Sequence, residues 1–247
     1  MATMTLLDMT QNILGAMDSD SVNDVFSTTE ASQVAEVIKE TYFDIISSRD
    51  WPFLKTKTTL TGLGDTTNPT KMRFPTTVNK VYWIKYNKKD VVYRDPKEFQ
   101  DMLDLRTEQT DVIDANGYML NQDPVYWTSF DDDYVFFDGY DSDTESTLQA
   151  SNSTLYALII PSWVTSNMFV PTLPDKMFPL LLADAKATCF MNLKQISHAK
   201  EDRKTQRLRV RMQNEAWKND QGESLYDSDV NYGRQSTTTF RTRPRGT

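Results

Sequence analysis

Apolar residues recur along the first fifty positions at the spacing of a helix face. Leu6, Met9, Ile13 and Met17 lie three to four apart, which predicts a short helix over 3–17. The polar run "DSDSVND" ends that pattern, and "STTE" opens another. Ser27 is the expected cap, with Glu30 reaching back to complete a capping box. Val34, Ile38, Tyr42 and Ile45 supply the apolar stripe of this second helix. It is expected to end near Arg49–Trp51, because Pro52 cannot continue it.

Beyond Pro52 the period shortens. Residues 53–170 are rich in Thr, Val, Tyr, Trp and Phe and are punctuated by turn residues. "VNKVYWIKYNKKDVVYRD" reads as two strands about the turn Asn87–Asp90, "PVYWTSFDDDYVFFDGY" as a hairpin about Asp131–Asp133, and "STLYALIIPSW" as a further strand. One helix interrupts them: in "DPKEFQDMLDLR", Asp95 is a cap, Pro96 suits the first helical position, and Glu98 completes the box.

Helical spacing returns at 171–221. Met177, Leu181, Ala185, Cys189, Leu193 and Ile196 trace one face, after which the pattern turns basic through Arg203, Lys204, Arg207, Arg209 and Arg211. The helix starts either at Pro179 or at Pro174 with a bend. An unbroken run of about 40 residues would extend about 60 Å, whereas a hinge near Ser197–Ala199 would fold it into a helical hairpin. Residues 222–247 hold nothing that could build a core. The expected fold is therefore α+β: a helical-bundle body (1–52 and 171–221), a β-rich module (53–170) inserted between its helices, and an extended C-terminal tail (222–247). No internal repeat is found.

Composition narrows the function. Hydrophobic residues are 38% and charged residues 25%, a globular balance, and only 8 glycines are present. Walker and Rossmann glycine motifs are absent. A single cysteine, Cys189, excludes an internal disulfide. No apolar run reaches the roughly 18 residues of a membrane-spanning helix, and the N-terminus lacks the basic start of a secretion signal. The chain is expected in the cytoplasm where it is made, or to leave it by particle assembly. The net charge of −8 is uneven: residues 1–193 carry −13, 194–218 carry +5, 219–233 carry −4 and 234–247 carry +4.

Candidate chemistry is thin. Cys189 and His198, nine apart on a helical stretch, lean to different faces, and a buried structural thiol is the expectation. The acids of "DDDYVFFDGYDSDTE" (Asp131–Asp133, Asp138, Asp141, Asp143, Glu145) lack the order of a calcium loop and are expected to form a solvated hairpin tip. With 35 acids in the chain, some glycosidase-like carboxylate pair arises by chance. Residues 200–211 could meet phosphates or another subunit. The tail has Tyr226, Tyr232 and Phe240 as spaced aromatics, and Arg234, Arg241, Arg243 and Arg245 as cations free of acids, the composition of a segment that orders on a partner.

Taken in order, a helix pair ending in "TYFDIISSRDWPFL", a β insertion, the stretch "LPDKMFPLLLADAKATCFMNLKQISHAKEDRKTQRLRVRMQNEAW" and a polar tail resemble the head-to-tail adaptors, or tail accessory factors, of short-tailed phages. The local motifs are Arg49–Asp50–Trp51 at a helix end and the Ala-rich, then basic helix finishing in "QNEAW". The resemblance implies a virion protein, not an enzyme and without cofactors. It would form a usually dodecameric ring beneath the portal vertex after assembly in the host cytoplasm. Its C-terminal segments would dock on the portal protein, with Phe240 as apolar anchor and the tail arginines as pairing groups. A tail hub or nozzle protein would bind below, and viral DNA would pass through the lumen without sequence-specific contact. Helix faces at 30–48 and 177–217, with Arg203, Arg207 and Arg211, would make subunit contacts. The alternatives are a cell-wall glycan hydrolase using acids of the β module and a nucleic-acid-binding protein using 200–211.

Overall fold

The computed structural model describes residues 3–106, 113–114, 116–196 and 199–226. They fall into two compact units, Leu54–Ser162 and the flanking Met1–Phe53 with Trp163–Thr247.

In the flanking unit, α1 (Leu6–Ala16) is capped by a reciprocal pair: Thr5 Oγ1 accepts the Asp8 N–H, and the Asp8 carboxylate accepts the Thr5 N–H. In α2 (Thr29–Ser47) the cap is Thr28, not Ser27: Thr28 Oγ1 accepts the Ala31 N–H. Ser27 instead closes a turn onto the Asp24 carbonyl, and Glu30 accepts from the Ser19 hydroxyl. Val34, Ile38, Tyr42 and Ile45 are all buried, as their spacing requires. After Ser47 the chain turns, and Trp51 Nε1 donates to the Ile45 carbonyl at 2.7 Å, tucking the indole under the helix end.

The long C-terminal stretch is two helices. A short turn at Asp175–Met177 leads into α4 (Phe178–Lys194), with Pro179 in its first turn, where a missing N–H is harmless. Gln195, at φ 54° and ψ 31°, ends α4 in the left-handed region, and α5 (Ala199–Tyr226) begins anew. Leu181, Ala185 and Cys189 of α4 face inward against α1 and α2.

The other unit is an eight-stranded mixed sheet: β1 (Lys55–Thr58), β2 (Thr61–Gly62), β3 (Lys71–Arg73), β4 (Val78–Tyr86), β5 (Lys89–Tyr93), β6 (Tyr126–Thr128), β7 (Tyr134–Phe137) and β8 (Ser153–Ile159). Their order is β1-β8-β4-β5-β6-β7-β3-β2. All neighbours are antiparallel except β5 and β6. That parallel pair needs a crossover, and α3 (Pro96–Arg106) supplies it. The β4–β5 turn uses Asn87 and Lys88 at φ 45° and 67°, the handedness a tight hairpin requires. Twelve buried residues form this unit's own core, among them Met72, Ile84, Tyr86, Val135, Phe137 and Leu155.

These findings correct the expected helical-bundle body. The protein is a sheet-dominated α+β fold, with five α-helices among the described residues. Two physical causes stand out. The β-rich stretch is no appendage, because its strands join into one curled sheet with a closed core of its own. In addition, α5 buries little: Thr205, Met212 and Ala216, at helical spacing, are its buried side chains among the described residues, a narrower stripe than that of α2. It also reaches Tyr226, past the expected end at 221.

Candidate functional site

The basic helix divides its cations between two directions. Arg209 joins three helices at the surface, donating to Asp44 of α2 at 3.0 Å and to Asp184 of α4 at 2.5 Å. These carboxylates raise the Arg209 pKa further, so the cation is permanent. Arg211 bonds within its own helix to Glu215 at 3.2 Å, and Lys176 reaches the same carboxylate at 2.7 Å. Both cations, Lys176 first, hold the Glu215 carboxyl below its usual range.

Arg203 and Arg207 point outward on the same face as the exposed Val210. Among the described residues, neither pairs with a carboxylate. The Arg207 Nε meets the Arg203 carbonyl at 3.4 Å. Of the three expected contact arginines, two are thus unspent and the third is partly neutralised. Tyr226 is the last residue of α5. Tyr232, Arg234, Phe240, Arg241, Arg243 and Arg245 lie outside the described residues.

Across the same unit, the exposed edge of α2 has the opposite sign. Glu36 and Glu40 stand one turn apart and exposed, with Lys39 between them bonded to Glu36 at 2.7 Å.

Several of the residues considered for catalysis have structural roles. Cys189 is fully buried, and burial pushes its thiol up to about 12, so it carries no thiolate at neutral pH. His198 lies outside the described residues. The acidic hairpin is less solvated than expected. Asp138 is fully buried: its Oδ1 accepts the Val125 and Tyr126 N–H groups, each at 2.8 Å, and its Oδ2 receives both Arg106 terminal nitrogens at 3.1 Å. Asp131 Oδ1 accepts from the Asp133 and Tyr134 N–H groups and shapes the turn. Glu145 accepts from the Tyr86 hydroxyl at 2.7 Å. Among the described residues no group of acids, Cys or His is arranged to hold a metal ion.

Asp65 and Asp123 have lowered pKa values. Hydrogen bonds from Asn68 and Thr67 act on Asp65, and the Lys89 hydrogen bond acts first on Asp123. These are the reverse of the raised carboxyl that a glycosidase acid needs.

Two aromatic surfaces of the sheet unit were not expected from sequence. An open groove of about 570 Å³ is lined by Tyr93, Trp127, Phe130, Lys80, Asp131 and Asp132, among others. Tyr93 packs edge-on to Trp127 with ring centroids 4.9 Å apart.

The second surface lies on the sheet's outer face, where β4 bulges between Val81 and Trp83. The bulge breaks strict alternation, so Tyr82 and Trp83, adjacent in sequence, are both exposed. Trp83 stacks on Tyr156 of β8 at 5.4 Å and 20°, and Tyr82 approaches Tyr156 at 5.5 Å. Lysines ring these aromatics: Lys55 lies 5.3 Å and Lys80 5.6 Å from the Tyr82 centroid, and Lys85 lies 5.6 Å from Trp83. The readable signal was "VYWIKY", two adjacent aromatics in a strand that has room to bury one.

No protein-family model matches the chain, and no curated protein matches its sequence.

The surfaces alone therefore carry the functional reading. Among the described residues, Cys189 and Asp138 are buried, while charge and aromatic area are displayed outward on α5 and on the sheet.

Proposed function

We propose that this protein is a structural virion component, the adaptor ring that joins a portal vertex to the tail of a short-tailed phage. The observation that supports it best is the display of opposite charge on two helices, although Glu36 also bonds Lys39 within its own helix. Arg203 and Arg207 stand one turn apart on α5, and Glu36 and Glu40 one turn apart on α2. Opposite signs at equal spacing on different faces favour a heterologous contact, in which α5 of one copy meets α2 of the next, and such contacts close into rings. The resemblance of the helical stretches to the adaptor family agrees with this. The same resemblance gives the C-terminal tail its role on the portal protein and the opposite face its role on a tail hub or nozzle. DNA would pass through the lumen, where an acidic body repels phosphate and lets the duplex slide.

The test is cosedimentation with purified portal, using the full chain, a chain ending at Ser224, and charge-reversed variants. The full chain is expected to join the portal in ring stoichiometry, and the truncated chain to be lost. Arg203→Glu with Arg207→Glu should break the ring, and adding Glu36→Lys with Glu40→Lys should restore it. If the full chain ignores the portal, the adaptor reading is wrong. If reversal of the arginines leaves the ring intact, the α2–α5 contact is wrong.

A further inference from the structure

The aromatic and lysine cluster on the outer face of β1, β8 and β4 takes no part in the ring contact described above. Its geometry answers to a particular chemistry. Lys57 of β1, Tyr156 of β8 and Trp83 of β4 stand in register across three strands. Neighbouring strands are about 4.8 Å apart, so this row is about 10 Å wide. Tyr156 and Trp83 have nearly parallel planes, and the bulge at Tyr82 adds a third ring tilted 44° to Tyr156. Trp83 and Tyr82 keep 38% and 37% of their surface in water, although each would gain by burial.

Charge identifies the ligand class. Lys55, Lys80 and Lys85 hold their ammonium groups 5.3–5.6 Å from the ring centroids, and Lys57 is exposed beside them. Lys85 also meets Asp90 at 3.0 Å. A cationic island of this density stands against a chain of net charge −8. Flat exposed rings want flat apolar partners, and lysines around them want regularly spaced anions. A glycan offers no anions unless it is modified, and an acidic peptide offers no repeated flat groups. A single strand of nucleic acid offers both, with bases for the rings and phosphates for the lysines. In duplex DNA the bases are stacked away from such a face.

We propose that this sheet face binds single-stranded nucleic acid, with bases stacked on Trp83, Tyr82 and Tyr156 and phosphates held by Lys57, Lys80 and Lys85. The binding is sequence-tolerant, because every base has a stacking face.

The test uses the full chain and labelled oligothymidylate and oligouridylate of about 15 nucleotides, within the range of site sizes known for such surfaces. A duplex of equal length and heparin serve as comparison ligands, and binding is read by anisotropy and tryptophan quenching. Single strands are expected to bind in the micromolar range at low salt. The logarithm of affinity should fall with the logarithm of salt at a slope of about −2, as about three phosphate contacts give. Trp83→Ala should weaken binding about tenfold, in line with the loss of one stacked base, and Trp83→Phe should retain most of it. Lys57→Glu, at an exposed site that the fold does not need, should weaken binding and flatten the slope. The oligothymidylate and oligouridylate arms report which sugar the face accepts. Absence of single-strand binding overturns the proposal. So does equal binding of duplex or heparin that Trp83→Ala leaves unchanged, since that is attraction to any polyanion.

Discussion

Asp138 is a position where one side chain holds several elements of the sheet unit together. Its carboxylate ties the end of α3, through Arg106, to the start of β6, through the Val125 and Tyr126 N–H groups, just after β7 ends. The side chain is 1% exposed and its Arg106 partner 20%. Asp138→Ala deprives two part-buried N–H groups of their acceptor, at up to about 1–3 kcal/mol each, and leaves the guanidinium unpaired. Part of that last cost is recovered from water, because Arg106 is not fully enclosed. The net loss should be about 4 kcal/mol. Asp138→Asn should be milder, about 2–3 kcal/mol. Its oxygen can keep both N–H bonds while its amide confronts Arg106 as a second donor. Arg106→Met should lie between these, since it leaves a buried carboxylate with its two N–H bonds but no cation. Urea unfolding followed by near-UV circular dichroism gives the order. Hydrogen exchange at Val125 and Tyr126 localises the effect, with protection lost in the alanine variant and kept in the asparagine variant. A loss under about 1 kcal/mol for Asp138→Ala, or equal losses for Ala and Asn, would refute this account.

Two glycines should respond in opposite directions to alanine. Gly117 sits at φ 84°, and a Cβ there would meet the Leu103 carbonyl oxygen at 2.3 Å, so Gly117→Ala should cost at least about 2 kcal/mol of stability in thermal melts. Gly15 lies near the end of α1 with open space around it, so Gly15→Ala should stabilise by about 0.5–1 kcal/mol. The buried Cys189 thiol, raised from 9.0 to about 12, gives the native state a proton that the unfolded chain sheds earlier. Its contribution is intact below pH 9 and should be lost between 9 and 12 at up to about 1.4 kcal/mol per pH unit, a slope that Cys189→Ala should reduce in urea titrations at stepped pH.

Periodicity located the elements that a single face of the core determines. The α2 stripe, the β4–β5 turn and the cap of α3 were readable because local chemistry settles them: Val34 to Ile45 at helical spacing, Asn87 before Lys88, and Asp95 before Pro96. What was lost depended on distant partners. The β1, β2 and β3 strands are four, two and three residues long and have no alternation of their own. They exist because β8, β7 and one another offer hydrogen bonds. The β5–β6 pair is parallel, and nothing in either strand distinguishes that from an antiparallel neighbour. The helical-bundle expectation failed on the same ground, since the joining of the strands into one sheet is set by partners far apart in sequence.

The basic helix shows how far pattern reaches toward function. Arg203, Arg207 and Arg211 stand out in the sequence because a basic stretch follows an acidic body, and their four-residue spacing places them near one face of a helix. That much is geometry, and Arg203 and Arg207 do face outward together. Whether an arginine is spent is a different question, decided by acids far away in sequence. Glu215 takes part of Arg211, and Asp44 and Asp184, on two other helices, take Arg209. A surface arginine held by two carboxylates from two other helices contributes to how the helices pack. Two like charges one turn apart and facing water do not stabilise the helix that carries them. The same reasoning separates Trp127, buried beside the sheet core, from Trp83, which the β4 bulge turns into water. A residue that the fold could bury or pair, but does not, is where an interaction surface should be sought, and Arg203, Arg207 and Trp83 meet that description.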